Sequence, residues 1–287
     1  MSFEPSGNNN PERKTVKLSQ GIIHYSDRGQ GPILLFIHGL LMNGQLWRDV
    51  VPLLEGQFRC IVPNLPLGSH PEPMNPDTDL TSVGIADIVG DFMTALNLEN
   101  VTLIGNDTGG GICQLVIIKY PEKISALILT NCDAFEVFPP AFFSPLQYAV
   151  YIPGFIFTLA QIMRLRLARK TLFGLLAYRR LKPEEEDRYY TPVINSAGIQ
   201  RDLNKAIRGI SKRYTLDAAR LFPNFHQPVL LVWGENDPFF TMKLGERLKD
   251  AFPNARLERV SKCRTFVAED QPELLAQSIR NFAANLS

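Results

Sequence analysis

The sequence predicts an α/β protein, a mostly parallel, doubly wound sheet carrying a helical insertion. Three observations predict it. Short runs rich in Val, Ile and Leu alternate with amphipathic runs of helix length. The short runs are continuously apolar, as expected of strands covered on both faces. The alternation is interrupted once, between Phe135 and about Thr215, and then returns to a strand.

Taken in order, Met1 to Lys14 is polar, with Pro5, Gly7 and an Asn8-Asn9-Asn10 run. It lacks the apolar stretch of a signal peptide, so residues 1–14 are expected to be a disordered leader of a cytoplasmic protein. Val16 to Leu18 and Ile22 to Tyr25 suit a hairpin around Ser19-Gln20-Gly21. Ile33 to Ile37 opens the central strands, followed by Cys60 to Val62, Val101 to Ile104, Ala126 to Thr130, Val229 to Trp233 and Arg256 to Val260. Leu46 to Leu54, Val83 to Leu96, Gly110 to Tyr120, Met242 to Ala251 and Pro272 to Ala284 have the spacing of helices between them. In such a sheet ligands sit at the carboxyl ends of the strands. The expected division is a core of residues 15–137 and 215–287 with a helical cap of residues 138–214. No internal repeat is present.

A chain of 287 residues can bury a substantial core. At 45% hydrophobic, 21% charged and a formal net charge of +1, it is neither a disordered chain nor a nucleic-acid binder, which would carry a basic excess. Cys60, Cys113, Cys132 and Cys263 lie far apart with no Cys-x-x-Cys spacing, so reduced, buried thiols are expected and a metal is not.

The interval after Phe135 is broken by Pro139-Pro140, Pro145, Pro153-Gly154, Pro183 and Pro192. From Val137 to Pro183 it holds seven Lys or Arg and no Asp or Glu. Leu146 to Met163 is 18 residues without a charge, near the roughly 20 of a membrane span, but Pro153-Gly154 interrupts it. An apolar lid over a pocket is one reading. A membrane-surface lid is another, because Arg164, Arg166, Arg169 and Lys170 follow directly.

The chemistry concentrates in four motifs. Gly105-Asn106-Asp107-Thr108-Gly109 joins the Val101 strand to a helix, and small residues two before and two after Asp107 suit a strained, closely packed turn. Its glycines are misplaced for a dinucleotide fingerprint, and no Lys-Ser/Thr follows for a P-loop, so no cofactor is expected. His38-Gly39-Leu40-Leu41 follows the Ile33 strand, and Trp233-Gly234-Glu235-Asn236-Asp237-Pro238 follows the Val229 strand. Asp237 at a strand's carboxyl end suits either a functional acid or a turn former. Cys263-Arg264-Thr265-Phe266-Val267-Ala268-Glu269-Asp270-Gln271-Pro272-Glu273 is the last.

With these motifs the chain resembles the α/β-hydrolase superfamily across nearly its whole length, and more narrowly its haloalkane dehalogenase and epoxide hydrolase branch. The resemblance implies an α/β-hydrolase fold with a cap, and Asp107 as a nucleophile that attacks carbon to form an ester. A carboxylate suits that role because it is ionised near neutrality without a base. By the same resemblance the amides of Leu40 and Thr108 form the oxyanion hole, Gly39 belongs to the oxyanion loop, and His38 braces it. Asp237 matches the acid, and Asp133 stands where some dehalogenases place theirs. The Asn64-Leu65-Pro66-Leu67-Gly68-Ser69-His70 loop is similar to the family's Asp-x-x-G-x-G-x-S segment, with departures at Asn64 and Leu65-Pro66.

The resemblance fails at the histidine. Thr265 stands where the family places it, Arg264 where the preceding glycine should be, and no histidine follows His226. A threonine hydroxyl cannot serve as a base near neutral pH. His24 belongs to the first hairpin, and His226 precedes its strand at the wrong end of the sheet; His70 is the one candidate surrogate. The halide donors of dehalogenases, an asparagine and a tryptophan, correspond to Leu40 and Thr108. Leu41 replaces the proline of the epoxide hydrolases' His-Gly-x-Pro, and their cap tyrosines could be any of Tyr148, Tyr151, Tyr178, Tyr189 and Tyr190.

Three functions follow from this pattern. One is an enzyme acting on a small apolar substrate with a non-standard base. Another is an inactive pseudo-hydrolase that binds a small ligand or partner. The third is a lyase-like enzyme using Asp107 as general base. No nucleic-acid partner is expected, whereas peripheral membrane contact through the basic, apolar cap is.

Overall fold

A computed structural model describes residues 13–284. Among them eight strands form one sheet in the order β1-β2-β4-β3-β5-β6-β7-β8. The strands are β1 (Arg13–Leu18), β2 (Gly21–Arg28), β3 (Ile33–Ile37), β4 (Arg59–Pro63), β5 (Val101–Asp107), β6 (Ile124–Cys132), β7 (Val229–Gly234) and β8 (Ala255–Val260). β1 and β2 form the antiparallel hairpin, β2 pairs antiparallel with β4, and every other pairing is parallel. Arg13 and Lys14, assigned above to the leader, belong instead to β1, where they pair with Ser26 and Tyr25. The rest of that expected leader, residues 1–12, lies outside the described residues.

The helices are α1 (Val51–Leu54), α2 (Ser82–Ala95), α3 (Thr108–Lys119), α4 (Ser144–Ala149), α5 (Phe155–Ile162), α6 (Arg166–Leu176), α7 (Pro183–Asn195), α8 (Ala197–Arg208), α9 (Lys212–Ala219), α10 (Met242–Ala251), α11 (Val267–Asp270) and α12 (Pro272–Ala283). The helix expected over Leu46 to Leu54 is not continuous. A 3-10 turn over Gly44–Trp47, capped by the Asn43 side chain, precedes the short α1. Pro52 has no N–H to donate back to the preceding turn, so it stands in the first turn of α1, where none is needed.

Successive residues of a strand face opposite sides of the sheet, and β3 divides the core accordingly. Leu35 and Ile37 join a cluster with Val89 and Phe92 of α2, Ile112 and Val116 of α3, and Leu248 of α10. Leu34 and Phe36 join a second cluster with Leu275 and Ile279 of α12. That second core continues into the helices inserted between β6 and β7 through Ile156, Phe173, Tyr190 and Leu203. Most of the insertion is therefore packed as an extension of one face of the sheet, while Ala206 and Ala218 join the cluster on the other. Its last helix, α9, packs on α3, with the Thr215 hydroxyl donating to the Phe135 carbonyl at 2.6 Å.

A buried polar network also fastens the insertion. The guanidinium of Arg48 donates to both oxygens of Glu269 at 2.6 and 2.7 Å. The Tyr189 hydroxyl of α7 donates to the same carboxylate at 3.1 Å, and Arg48 Nε donates to Glu185 at 3.2 Å. All four cysteines are free and buried.

Candidate active site

Asp107 ends β5 and precedes α3, with φ 54° and ψ −134°. This conformation costs a non-glycine residue about 1–3 kcal/mol and is held only where the surroundings over-determine it. They do so here: a β-carbon on Gly109 would meet the carbonyl oxygens of His38 and Ile37 at 2.4 and 2.6 Å. The turn is thus clamped against the loop after β3.

That loop is braced by His38. Its Nδ1 donates to the Gly39 carbonyl at 2.9 Å, and its Nε2 accepts from the Leu65 amide at 2.9 Å. These partners define one neutral tautomer, and complete burial lowers its pKa to about 4. His38 is fully committed to the backbone and presents no free nitrogen to Asp107.

The bracing places the Leu40 amide beside the Asp107 carboxylate, across from the Thr108 amide at the start of α3. The two N–H groups favour its ionised form without meeting the geometry of full hydrogen bonds. Burial opposes them and is the larger effect, and the charge of Asp237 adds to it. The carboxyl is pushed up to about 7. Asp133, following β6, is held well above the carboxylate range by burial and by Asp107; the Thr108 hydroxyl acts in the opposite direction. Three acidic side chains therefore share a region with no basic side chain among their determinants, and burial raises the pKa of each.

Asp237 uses one carboxylate oxygen in a turn and leaves the other unbonded. Its Oδ1 accepts from the amides of Phe239 and Phe240 at 2.8 and 3.1 Å, which is turn-forming work. Its Oδ2 has no hydrogen-bond partner, and the side chains of Thr265 and Asn131 face the carboxylate. Burial raises its pKa against all of these. Thr265 is completely buried and its hydroxyl makes no hydrogen bond of ordinary geometry.

Two asparagines hold this arrangement, and no sequence pattern marked either. Asn106 Nδ2 lies 2.7 Å from the Thr265 carbonyl, 2.8 Å from the Thr130 hydroxyl and 3.1 Å from the Asn131 carbonyl, tying the elbow to the last loop. Asn131 accepts from the Gly234 amide at 2.6 Å and donates to the Gly234 carbonyl, fixing the loop of Asp237.

His70 does not enter the site as a base. It is buried, its Nε2 lies 3.2 Å from Asp202 Oδ2 of α8, and its Nδ1 has no partner. Burial lowers its pKa. His24 pairs with Glu72 at 2.9 Å, and His226 is exposed before β7. Among the described residues no imidazole hydrogen bonds to Asp107.

Above Asp107 lies a cavity of about 360 Å³, and the residual exposure of Asp107 is to it. Leu40, Phe143, Leu146, Leu159, Met163 and Phe266 contribute to its walls. Among the described residues lining it, Asp107 and Tyr190 alone carry a polar side chain. Of the five cap tyrosines, Tyr190 lines the cavity, Tyr189 joins the Glu269 network, and Tyr148, Tyr151 and Tyr178 are exposed. No three His, Cys, Asp or Glu side chains gather in a metal-holding group among the described residues.

The chain belongs to the α/β-hydrolase fold family, whose model matches residues 32–272. Within that superfamily it stands in the branch related to haloalkane dehalogenases and epoxide hydrolases. It is 26% identical over 279 residues to haloalkane dehalogenase 2 of Mycobacterium tuberculosis, covering 93% of each chain. It is 28% identical over 272 residues to epoxide hydrolase 4 of Mus musculus, covering 88% of this chain and 73% of that one. It is also 25% identical to cis-3-alkyl-4-alkyloxetan-2-one decarboxylase of Shewanella oneidensis, covering 91% and 84%. The solved structure of haloalkane dehalogenase DbeA from Bradyrhizobium elkani superposes with a TM-score of 0.79 at 17% identity, covering 96% of this chain and 97% of that one, a likeness of fold.

Proposed function

We propose that this α/β-hydrolase-fold protein attacks small apolar electrophiles with Asp107 and forms an alkyl ester on it. The carrying observation is one ionisable carboxylate at an elbow, beside two backbone amides, in a cavity whose other polar side chain is Tyr190. With an alkyl halide, a carboxylate oxygen forms the bond to carbon and the halide leaves with its electron pair. With an epoxide, the ring C–O bond breaks and the oxygen takes a proton from Tyr190. Burial holds that phenol's pKa above its usual value, which keeps it protonated as a donor. Tyr190 at the cavity, and Leu40 and Thr108 at the halide-donor positions, support strained oxygen rings over halides.

Hydrolysis of the ester is the slow half. The Leu40 and Thr108 amides suit the oxyanion of ester cleavage, but Thr265 supplies no base to activate water. Consumption of one equivalent of substrate per enzyme, with one halide released from an alkyl halide but an epoxide kept whole on Asp107, followed by a far slower phase, is the expected time course. Linear turnover from the first seconds would contradict it.

A second reading rests on a different observation. A carboxyl at about 7 is poised as a general base at neutral pH. A lyase-like reaction would then need no ester and no second base. The two part cleanly, because a lyase turns over without ever modifying Asp107. A chain that retains only ligand binding would give neither product nor ester.

A further inference from the structure

The outer surface of the helical insertion is the largest feature that the Asp107 cavity leaves unexplained. Helix α5 is mostly apolar, with Thr158 and Gln161 its polar residues: Ile156 and Ala160 are buried, Leu159 lines the cavity, and Phe157 and Ile162 face outward. Here the exposed side continues along the chain through Tyr148, Tyr151, Ile152, Leu165 and Leu167, with Tyr148 at 79% and Leu167 at 76% exposure. Contiguous exposed apolar residues of this kind mark an interaction site. At its tip the turn between α4 and α5 carries Ile152-Pro153-Gly154, all exposed, with open space around the Gly154 backbone.

The rim of this surface is basic. Arg164, Arg166 and Lys170 are exposed on one side. On the other, Arg201, Lys205 and Arg208 of α8 line a cleft with Ile152, Pro153 and Phe157, and Arg208 lies over the Tyr151 ring at 4.4 Å. The carboxylates within reach are mostly taken up. Asp187 pairs with Arg169 and, at 3.8 Å, with Arg166. Asp202 pairs with Arg201 and His70 and accepts from the Met74 amide. Arg164, Lys170 and Arg180 have no carboxylate partner among the described residues.

We infer that the insertion docks on a membrane surface carrying anionic lipids, with the apolar residues in the interfacial zone and the cations among the headgroups. Apolar side chains ringed by cations with no acid from Val137 to Pro183 match an acidic bilayer. No helix among the described residues is long and apolar enough to cross one, and α5 spans only Phe155–Ile162, so the surface lies on the bilayer. The inner sides of the same helices line the cavity, so docking brings lipid-phase molecules within about one helix diameter, ~10 Å, of the cavity above Asp107. The docking stands on the surface alone; the consequence that substrates arrive from the lipid phase rests on the proposed reaction.

The test uses the whole chain and extruded vesicles, either pure phosphatidylcholine or equal parts phosphatidylcholine and phosphatidylglycerol. Cosedimentation with the anionic vesicles, weak with the neutral ones and falling as salt rises, is expected. Ile152→Asp with Phe157→Asp should abolish it. Arg164→Glu, Arg166→Glu and Lys170→Glu should each lower the partition coefficient about fivefold or more. These side chains are exposed, so the thermal midpoint should hold, and Leu274→Asp on the distant α12 should bind like the parent. Absence of binding at low salt, or binding indifferent to the Asp pair, overturns the inference. So does a dimer in sedimentation equilibrium that the Asp pair dissolves, which would assign the surface to a second copy. Vesicle binding is read without substrate, so its failure leaves the Asp107 reaction untouched, and the reverse holds.

Discussion

A β-carbon on Gly39 would stand 2.1 Å from Oδ2 of Asp107. The loop after β3 therefore passes the carboxylate closely enough that only hydrogen fits, which is what sets the Leu40 amide beside it. Gly39→Ala must displace one or the other. A misplacement of about 1 Å in a reacting group can cost a hundredfold in rate. The variant is expected to fold and to lose about that much of its ester formation, measured by stopped-time mass analysis. Unchanged reactivity would show that Asp107 is not the reacting group.

The carboxyl of Asp107 at about 7 makes a pH profile specific. The rate of ester formation should rise about tenfold per unit below pH 7 and level off above it. Stability runs the other way. The folded state holds a proton that the unfolded state releases near the ordinary carboxylate pKa of about 3.9. The native chain thus binds more protons between roughly pH 4 and pH 7, and its stability falls as pH rises through that window. Asp107→Asn should raise the thermal midpoint by a few degrees at pH 8 and much less at pH 4. An equal gain at both would contradict the shifted carboxyl.

Arg48 and Glu269 form a bidentate pair, with the Glu269 side chain fully buried. Arg48→Met leaves that carboxylate only Arg179, 3.3 Å away, and the Tyr189 hydroxyl, which should cost about 1–3 kcal/mol in urea denaturation. Arg48→Met with Glu269→Leu should cost clearly less than Arg48→Met alone. Additive losses would mean that the pair is not coupled.

Thr265 offers a gain-of-function test. Arg264→Gly with Thr265→His would set an imidazole beside Asp237. It would also remove the Arg264 contact with the Gly174 carbonyl and its stacking over Tyr178. Steady turnover is expected to replace the single burst, at some cost in melting temperature. A well-folded double variant that still stops after one equivalent would place the block elsewhere.

What could be read from residue order was local. The elbow is legible because its geometry is imposed by Gly105, Asp107 and Gly109 themselves, and the central strands because both faces are covered. Asp237 is legible from its place after β7, although its turn-forming half is seen only in the Phe239 and Phe240 amides. The Arg48–Glu269 pair was hidden, since its members are 221 positions apart. So was the choice of Tyr190 over its neighbour Tyr189, which depends on the rotation of α7 against the cavity. Asn106 and Asn131 act by reaching three loops at once, and no spacing announces that. His70 was a candidate by its loop alone; Asp202 of a distant helix occupies its Nε2.

The most direct measurement is the intact mass of the chain after exposure to a short 1,2-epoxyalkane, with peptide mapping of any adduct. The expected result is a stable mass increase of one epoxide, carried by the peptide containing Asp107 and absent from Asp107→Asn. An unmodified chain that converts the epoxide at a steady rate, or an adduct that persists in Asp107→Asn, would contradict it.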